Sequence, residues 1–403
     1  MFRLILKMAW KNSFLRLSRT LLVIIMIAVS MSMMLALQGL YDGMAENMLD
    51  KNKRSDSGDI TLYAKDYRLN PEIKNSILDA QSIKEDIAKM NGVKAVMMRL
   101  NADGLASTAR KSSFASIVGI DLAEEEKFGE FSEFLNSGAL NFSKRGALVG
   151  IELAKTLKLR IGSKVIFSTQ DASGEINSIA LRVRGIVQTT NIRLDNFAIY
   201  VPREKVSSFL ALNSTTATQI SISSDDETLQ KTLQTKYSQL DVKSFFELQP
   251  MMQMMQDMMV IFNSITFFIV MLVVFIGILG VMYVSILDRV REFGIMLGIG
   301  MRYKYIRLQI ILESLIIGFI GFVLGSIFGV LFLYYLGVYG LDLSEFADAM
   351  QSFGYETILY ATIKLSYFTN TFLAIMMASV LSVLLPLRKI KKLNPVEVIK
   401  AQI

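Results

Sequence analysis

The chain has 403 residues, of which 52% are hydrophobic and only 20% are charged, and its formal net charge is +7. This composition is too apolar for an ordinary soluble enzyme and too rich in bulky side chains for a disordered chain. The absence of Cys and His excludes disulfide scaffolds, thiolate or His-ligated metal sites and catalytic pairs built on Cys or His.

Four long uncharged runs are each long enough to cross a bilayer core as a helix, which takes about 20 apolar residues. The runs cover 20–40, 258–287, 314–341 and 365–387, and they predict transmembrane helices at 20–41, 256–287, 308–341 and 365–387. The first run is longer than the apolar part of a signal peptide, which covers roughly 7–15 residues, so we predict a retained anchor.

Segment 1–19 interleaves apolar residues, among them Phe2 and Trp10, with basic residues at near-helical spacing. This pattern predicts an amphipathic helix in the cytoplasmic membrane interface. The alternative is a simple positive flank of the first span.

Lys and Arg are concentrated before the first span, in the loop 288–307 and in the tail 388–403, whereas the loop 342–364 is mostly acidic. By the positive-inside rule, both termini and 288–307 are cytoplasmic and 42–255 lies outside the cytoplasm. The basic segments then require no nucleic acid as a partner.

The segment 42–255 is long enough for one or two compact domains. Two strand–helix–strand patterns, at about 54–139 and 213–250, predict the halves of one mixed layer, and about 140–212 predicts an inserted β-rich subdomain. We therefore expect a helical membrane protein with a large α+β extracytoplasmic domain. We find no carboxylate pair, metal-ligand spacing or G-x-x-x-x-G-K-[ST] loop, and assign no catalytic residue and no metal site.

The loop 288–307 contains more apolar residues than a loop that contacts only water needs. Its bulky apolar side chains are candidates to enter a partner's groove, its glycines allow close approach, and its charged residues could form ion pairs at the edges. The alternative is a loop on lipid headgroups. The residues assigned to partner binding are Arg291, Glu292, Phe293, Gly294, Ile295, Met296, Leu297, Gly298 and Gly300.

Three further features lie in or near the spans. Gly321, Gly325 and Gly329 recur every four residues and predict close helix packing, either within the chain or at a dimer seam. Glu313 is either a functional intramembrane carboxylate or the partner of a basic loop residue such as Arg307. The Met cluster within 251–259 favours a flexible apolar surface, with a Cu(I) site as the alternative.

Residues 291–300 (REFGIMLGIG) resemble the signature R-E-I-G-I-L-R-A-L-G of MacB/FtsX-like ABC transporter permeases, a family related to the lipoprotein-releasing permeases. The tail 393–398 (LNPVEV) resembles the family's L-x-P-V-E-A ending. Residues 149–162 resemble the G-x-x-L-A-x-x-L-x-L-x-x-G element of its MacB-like periplasmic domain.

The resemblance implies a permease subunit of the bacterial inner membrane that has no enzymatic activity and no cofactor of its own. A separate ATP-binding subunit would bind ATP and Mg and dock on 288–307 as a coupling helix. A second permease subunit would complete a homodimer or heterodimer, and a periplasmic or outer-membrane partner is a further possibility.

By mechanotransmission, ATP hydrolysis would drive export or extraction of an amphiphilic, peptide or lipid-like substrate. The alternatives are lipoprotein release, metal-related ABC transport, or a membrane regulator of an extracytoplasmic hydrolase that transports nothing.

Overall fold

The computed structural model describes residues 2–143, 145–189, 191–226, 228–346 and 357–391. The tail motif at 393–398 lies outside the described residues. The helices are α1 Phe2–Ser13, α2 Leu17–Asn52, α3 Ala80–Ala88, α4 Leu122–Gly129, α5 Ile151–Leu157, α6 Ile192–Phe197, α7 Arg203–Phe209, α8 Leu229–Lys236, α9 Phe245–Leu248, α10 Pro250–Asp288, α11 Val290–Gly298, α12 Tyr303–Tyr339 and α13 Leu365–Lys391.

The strands are β1 Ile60–Ala64, β2 Val93–Ser107, β3 Ser112–Ile120, β4 Leu135–Gly138, β5 Gly146–Gly150, β6 Lys164–Gln170, β7 Ile176–Val187, β8 Ala198–Pro202, β9 Gln219–Ser224, β10 Leu240–Ser244, β11 Leu341–Asp342 and β12 Ile358–Leu359. A π-helical turn, Lys53–Ser57, follows α2.

The chain divides into two compact units. The helical unit contains α1, most of α2, most of α10 and the helices from α11 to α13, and the α/β domain contains residues 46–255. Within the described residues, α2, α10, α12 and α13 are the four helices long and apolar enough to cross a membrane by length and composition. This confirms the predicted arrangement of one span before the large domain and three after it.

The helical unit has its own apolar core, to which α2, α10, α12 and α13 contribute. The amphipathic helix predicted at the N-terminus is present as α1. Ile5, Ala9 and Ser13 lie at a spacing of four residues and form its buried face, which packs against α12, whereas Trp10 is exposed. The interfacial position of α1 remains a prediction.

The described part of the α/β domain contains a ten-stranded sheet in the order β10-β1-β9-β2-β3-β8-β5-β7-β4, with β6 paired to β2 and β7. In β7, Leu181 and Val183 are buried whereas Arg182 is exposed, as their alternation predicts. Gly174 has a φ of +91° in the turn between β6 and β7, which glycine adopts without steric cost.

Strand pairing does not follow the predicted boundary at residue 140. The first half of β2 pairs with β9, and its second half pairs with β3 and β6. β3 pairs in parallel with β8, and β4 pairs with β7, although both β3 and β4 precede residue 140. The single long strand β2 therefore joins the two parts of the sheet, and the inserted segment forms no separate sheet.

Candidate functional site

A short helix lies in the segment between the second and third long helices. α11 begins after Arg289 and ends at Gly298, and Gly300 adopts a φ of +91° before α12 starts. A side chain at that position would be strained because the left-handed backbone region suits glycine. The turn at Gly300 therefore separates α11 from α12.

The segment of α11 has a buried side and an exposed side. Phe293 and Gly294 are buried, whereas Ile295 and Ile299 are 48% and 77% exposed. Side chains four residues apart lie on the same side of a helix, so Ile295 shares this side with the exposed Arg291 and with Ile299, which directly follows the helix. Such a surface favours contact with a partner or with lipid.

The structure corrects the role predicted for Phe293. Its side chain is 0% exposed and belongs to the core of the helical unit, so it is not available to enter a partner's groove. Met296 and Leu297 are partly buried against the same core. Ile299, which the sequence analysis did not assign to the site, is exposed instead.

Glu313 lies at the centre of a buried polar network. Its side chain is 4% exposed, and both carboxylate oxygens accept hydrogen bonds from Arg289 Nη1, at 3.0 and 3.1 Å. Asn12 Nδ2 and Gln309 Nε2 each donate to Oε1 at 3.1 Å. The partner suggested from the sequence, Arg307, is corrected to Arg289, and the network joins α1, α12 and the start of α11.

Arg289 also contacts α11 directly. Its Nε donates to Glu292 Oε2 at 3.0 Å, and its guanidinium carbon lies 5.1 Å from the centroid of the Phe293 ring. The Glu292 side chain is 61% exposed, whereas that of Arg289 is 10% exposed. The arginine therefore connects a buried carboxylate of α12 to an exposed carboxylate of α11. Nothing in the sequence singles out Arg289 among the basic residues of this loop.

A second set of ion pairs lies at the end of α10. Asp288 Oδ2 accepts from Arg19 Nη1 at 2.7 Å and also pairs with Arg16. A cavity of about 270 Å³ is bordered by these three residues together with Arg289 and Glu313. The N-terminal segment is thus bonded to α10 through Asp288 and to α12 through Glu313.

The glycine stripe of α12 packs within the chain. A Cβ on Gly321 would lie 2.8 Å from Ile27, and one on Gly325 would lie 2.9 Å from Met31, both in α2. Gly329 likewise faces Leu35 of α2. Because α2 covers the stripe, the structure supports intrachain packing and corrects the alternative of a dimer seam.

The Met cluster is mostly exposed. Met251, Met254 and Met258 are 74%, 66% and 55% exposed, and Met251, Met252 and Met255 border a cleft in the α/β domain. In the described part of the chain, no group of three or more Asp or Glu side chains could hold a metal ion. The Cu(I) site at the methionines remains a prediction.

Together these features define a multi-pass membrane protein in which one helix precedes, and three follow, a large α/β domain. Residues 20–240 match the family description MacB-like periplasmic core domain, and residues 264–395 match FtsX-like permease C-terminal. The chain therefore belongs to the MacB/FtsX-like family of permeases, whose members function in ABC transport.

Two curated relatives are both described as Macrolide export ATP-binding/permease protein MacB. The protein from Haemophilus ducreyi is 26% identical over 257 residues, which cover 60% of this chain and 34% of the relative. The protein from Pasteurella multocida is 29% identical over 183 residues, which cover 42% and 28%. The chain thus spans about a third of the length of these relatives.

Two solved structures are similar to part of the chain. The periplasmic region of MacB from Actinobacillus actinomycetemcomitans is 16% identical, with a TM-score of 0.34, over 49% of this chain and 92% of that one. The extracellular domain of the noncanonic ABC-type transporter YknZ from Gram-positive bacteria is 13% identical, with a TM-score of 0.32, over 47% and 100%.

Proposed function

We propose that this chain is the permease subunit of an ABC transporter and that a separate ATP-binding subunit docks on α11. The bacterial inner membrane would contain α2, α10, α12 and α13, with both termini and α11 in the cytoplasm and the α/β domain outside it. The concentration of Lys and Arg near these ends supports that orientation. The cargo is an amphiphilic, peptide or lipid-like molecule that is exported or extracted.

The observation that carries the proposal is the division of α11 into two sides. The buried side is fixed to the chain's own core through Phe293 and through Arg289. The exposed side presents Ile295 and Ile299. A helix that packs against the core on one side and exposes Ile295 on the other can transmit a displacement of its partner to the helices against which it packs.

The route of transmission runs through the buried network. A movement of α11 shifts Arg289, whose Nη1 is bonded to Glu313 of α12. α2 and α10 are continuous helices that contribute residues both to the helical unit and to the α/β domain. ATP and Mg are bound by the partner, which changes shape when ATP is hydrolysed, and the permease converts that change into movement outside the membrane.

Docking of the ATP-binding subunit tests this proposal. Ile295→Asp and Ile299→Asp place a charge on the exposed side of α11, so each should weaken copurification of that subunit. Loss of a central apolar contact costs on the order of 2 kcal/mol, which corresponds to a roughly thirtyfold higher Kd at about 1.4 kcal/mol per decade. The measurement is the Kd between detergent-solubilised permease and its purified ATPase.

Ile176→Asp is the matched control, because Ile176 is an 81% exposed isoleucine of β7 in the α/β domain. It should leave ATPase binding unchanged. Equal binding by all three variants and the wild type would show that α11 is a lipid contact rather than a docking helix. A reporter fused at Asn177 tests the orientation separately, since a cytoplasmic signal there would contradict the proposed topology.

A further inference from the structure

The α/β domain contains a cleft of about 690 Å³ whose wall has a polar part and an apolar part. Its volume lies within the range of pockets that hold small molecules, roughly 300–1,000 Å³. The apolar part includes Met252, Met255, Leu248 and Phe197. The polar part includes Asn101, Asn191, Ser57, Gln219 and Asp56.

Two amide groups of the polar wall each have one atom without a protein partner. Asn191 is 5% exposed, and its Oδ1 accepts from the backbone N–H groups of Arg193 and Leu194 at the start of α6. Those two bonds fix the orientation of the amide. Among the described residues, no acceptor pairs with the remaining buried atom, the donor Asn191 Nδ2.

Asn101 presents the complementary group. Gln219 Nε2 donates to Asp56 and to Ser221, which fixes Gln219 Oε1 as an acceptor. Asn101 Nδ2 donates to that oxygen at 3.3 Å, so the unpaired buried atom of Asn101 is the acceptor Oδ1. A buried polar atom without a partner is costly, and water or a bound molecule can supply the missing hydrogen bond.

Charge and aromatic contacts limit the ligand further. Arg193 Nη2 lies 3.4 Å from Asp56 Oδ2, and Arg68 and Asp103 add one charge of each sign, so the charges that line the cleft balance. Tyr63 and Tyr67 stack with ring centroids 6.0 Å apart at the border of the cleft. A ligand with a large net charge gains little here, whereas an uncharged one with an apolar group matches both parts of the wall.

We propose that this cleft binds a compact uncharged amphiphile whose polar group is an amide, such as an acylated amino-acid amide or a short hydrophobic peptide. The ligand's N–H donates to Asn101 Oδ1, and its carbonyl oxygen accepts from Asn191 Nδ2. Its acyl chain or apolar side chain contacts the wall that contains Met252 and Met255. Binding requires no ATPase, so the proposal of this binding site does not depend on the proposed coupling between α11 and an ATP-binding subunit.

The test uses the full chain in nanodiscs of phosphatidylethanolamine and phosphatidylglycerol. The probe is N-isobutyl-octanamide, whose single N–H belongs to its amide, with a photoreactive diazirine in the acyl chain, and labelled residues are located by peptide mass spectrometry. We expect labelling within 192–197 and 248–255, with competition by the unlabelled amide. The matched ester, in which oxygen replaces the acylated N–H, should compete about tenfold more weakly because it cannot donate to Asn101.

Asn191→Asp removes the unpaired donor but keeps the oxygen that caps α6, since Asp and Asn are equally good caps. It should weaken probe binding about tenfold. Asn136→Asp, an exposed change in β4, controls for the added charge and should bind like the wild type. Met252→Lys alters only a partly exposed side chain and should abolish labelling of the apolar wall.

Two outcomes would overturn the proposal. Labelling confined to the membrane helices, and unchanged in Asn191→Asp and Met252→Lys, would show that the probe reports lipid contact alone. Equal competition by amide and ester would show that the cleft does not recognise an amide. Neither outcome alters the test of α11, because Ile299→Asp should lose ATPase docking while retaining probe binding.

Discussion

Each unit of the protein contains a buried arginine, and the two arginines are bonded in different ways. In the α/β domain, Arg99 has a fully buried side chain and donates to both oxygens of Glu125 at 2.7 Å, to Asp56 at 3.0 Å and to the Ser55 carbonyl at 2.7 Å. Burial alone would lower its pKa, but the two carboxylates raise the pKa of Arg99 above its ordinary value.

Among the described residues, Arg289 of the helical unit has one buried carboxylate partner, Glu313, and one exposed carboxylate partner, Glu292. The groups that accept hydrogen bonds from Arg99 are therefore all buried, whereas Arg289 joins the buried carboxylate of Glu313 to the exposed carboxylate of Glu292. We therefore expect the network of Arg99 to stabilise the α/β domain, whereas we propose that the network of Arg289 passes a movement from α11 to α12.

The largest effect is expected from Arg99→Met. It leaves the carboxylates of Glu125 and Asp56 buried without their cation, and breaking a buried ion pair in this way costs about 3–5 kcal/mol. The free energy of unfolding of the α/β domain, measured by proteolysis of the full chain in urea, should fall by that amount. Arg110→Met, an exposed change in the same domain, is the control, and equal stability of both variants would contradict the assigned role of Arg99.

Gly325→Leu should destabilise the helical unit by about 1–3 kcal/mol, because a side chain there must displace Met31 or Ala28 of α2. Gly280→Leu is the matched control, since nothing lies within 4 Å of a Cβ at that position of α10. Thermal unfolding in detergent measures the effect. If Gly325→Leu instead keeps monomer stability and loses only dimer formation on native gels, the stripe belongs to a subunit interface.

Glu313→Gln removes the charge that Arg289 faces and should cost about 1–2 kcal/mol in unfolding free energy. Glu313→Gln should also lower transport-coupled ATPase activity. This decrease should exceed what the loss of unfolding free energy alone would cause, because the variant weakens the link between α11 and α12. The double variant Arg289→Met with Glu313→Met should recover stability but not coupling. Full coupling in the double variant would show that this ion pair is only structural.

The smallest expected effect is a change in the stability of the α/β domain at alkaline pH. Burial raises the pKa of Tyr67 from an ordinary value of 10.0 to about 12. Because the folded pKa is the higher one, the stabilisation is complete below pH 10 and is lost as the pH rises towards 12. Tyr67→Phe should therefore reduce the loss of domain stability between pH 10 and 12, measured as the urea midpoint. An identical pH profile in the variant would contradict burial of this hydroxyl.

The same two regions show which features were predictable. The apolar runs located all four long helices, and the strand–helix pattern located β1, α3 and β9, because length, periodicity and turn residues are local properties. The boundary at residue 140 was not predictable in this way. β2 changes partners along its length, and pairing depends on strands distant in the chain.

The sequence by itself determined that this protein has one span before and three after a large α/β domain, and that a short apolar segment separates the second and third spans. Only the tertiary structure decided which side of α11 is buried and that α2 covers the glycine stripe. It also decided that Glu313 bonds to Asn12, 301 residues away, and to Arg289. The physical reason is that residue spacing in a helix determines the direction in which each side chain points around the helix axis. The partner of that side chain depends on which distant segment packs against the same face.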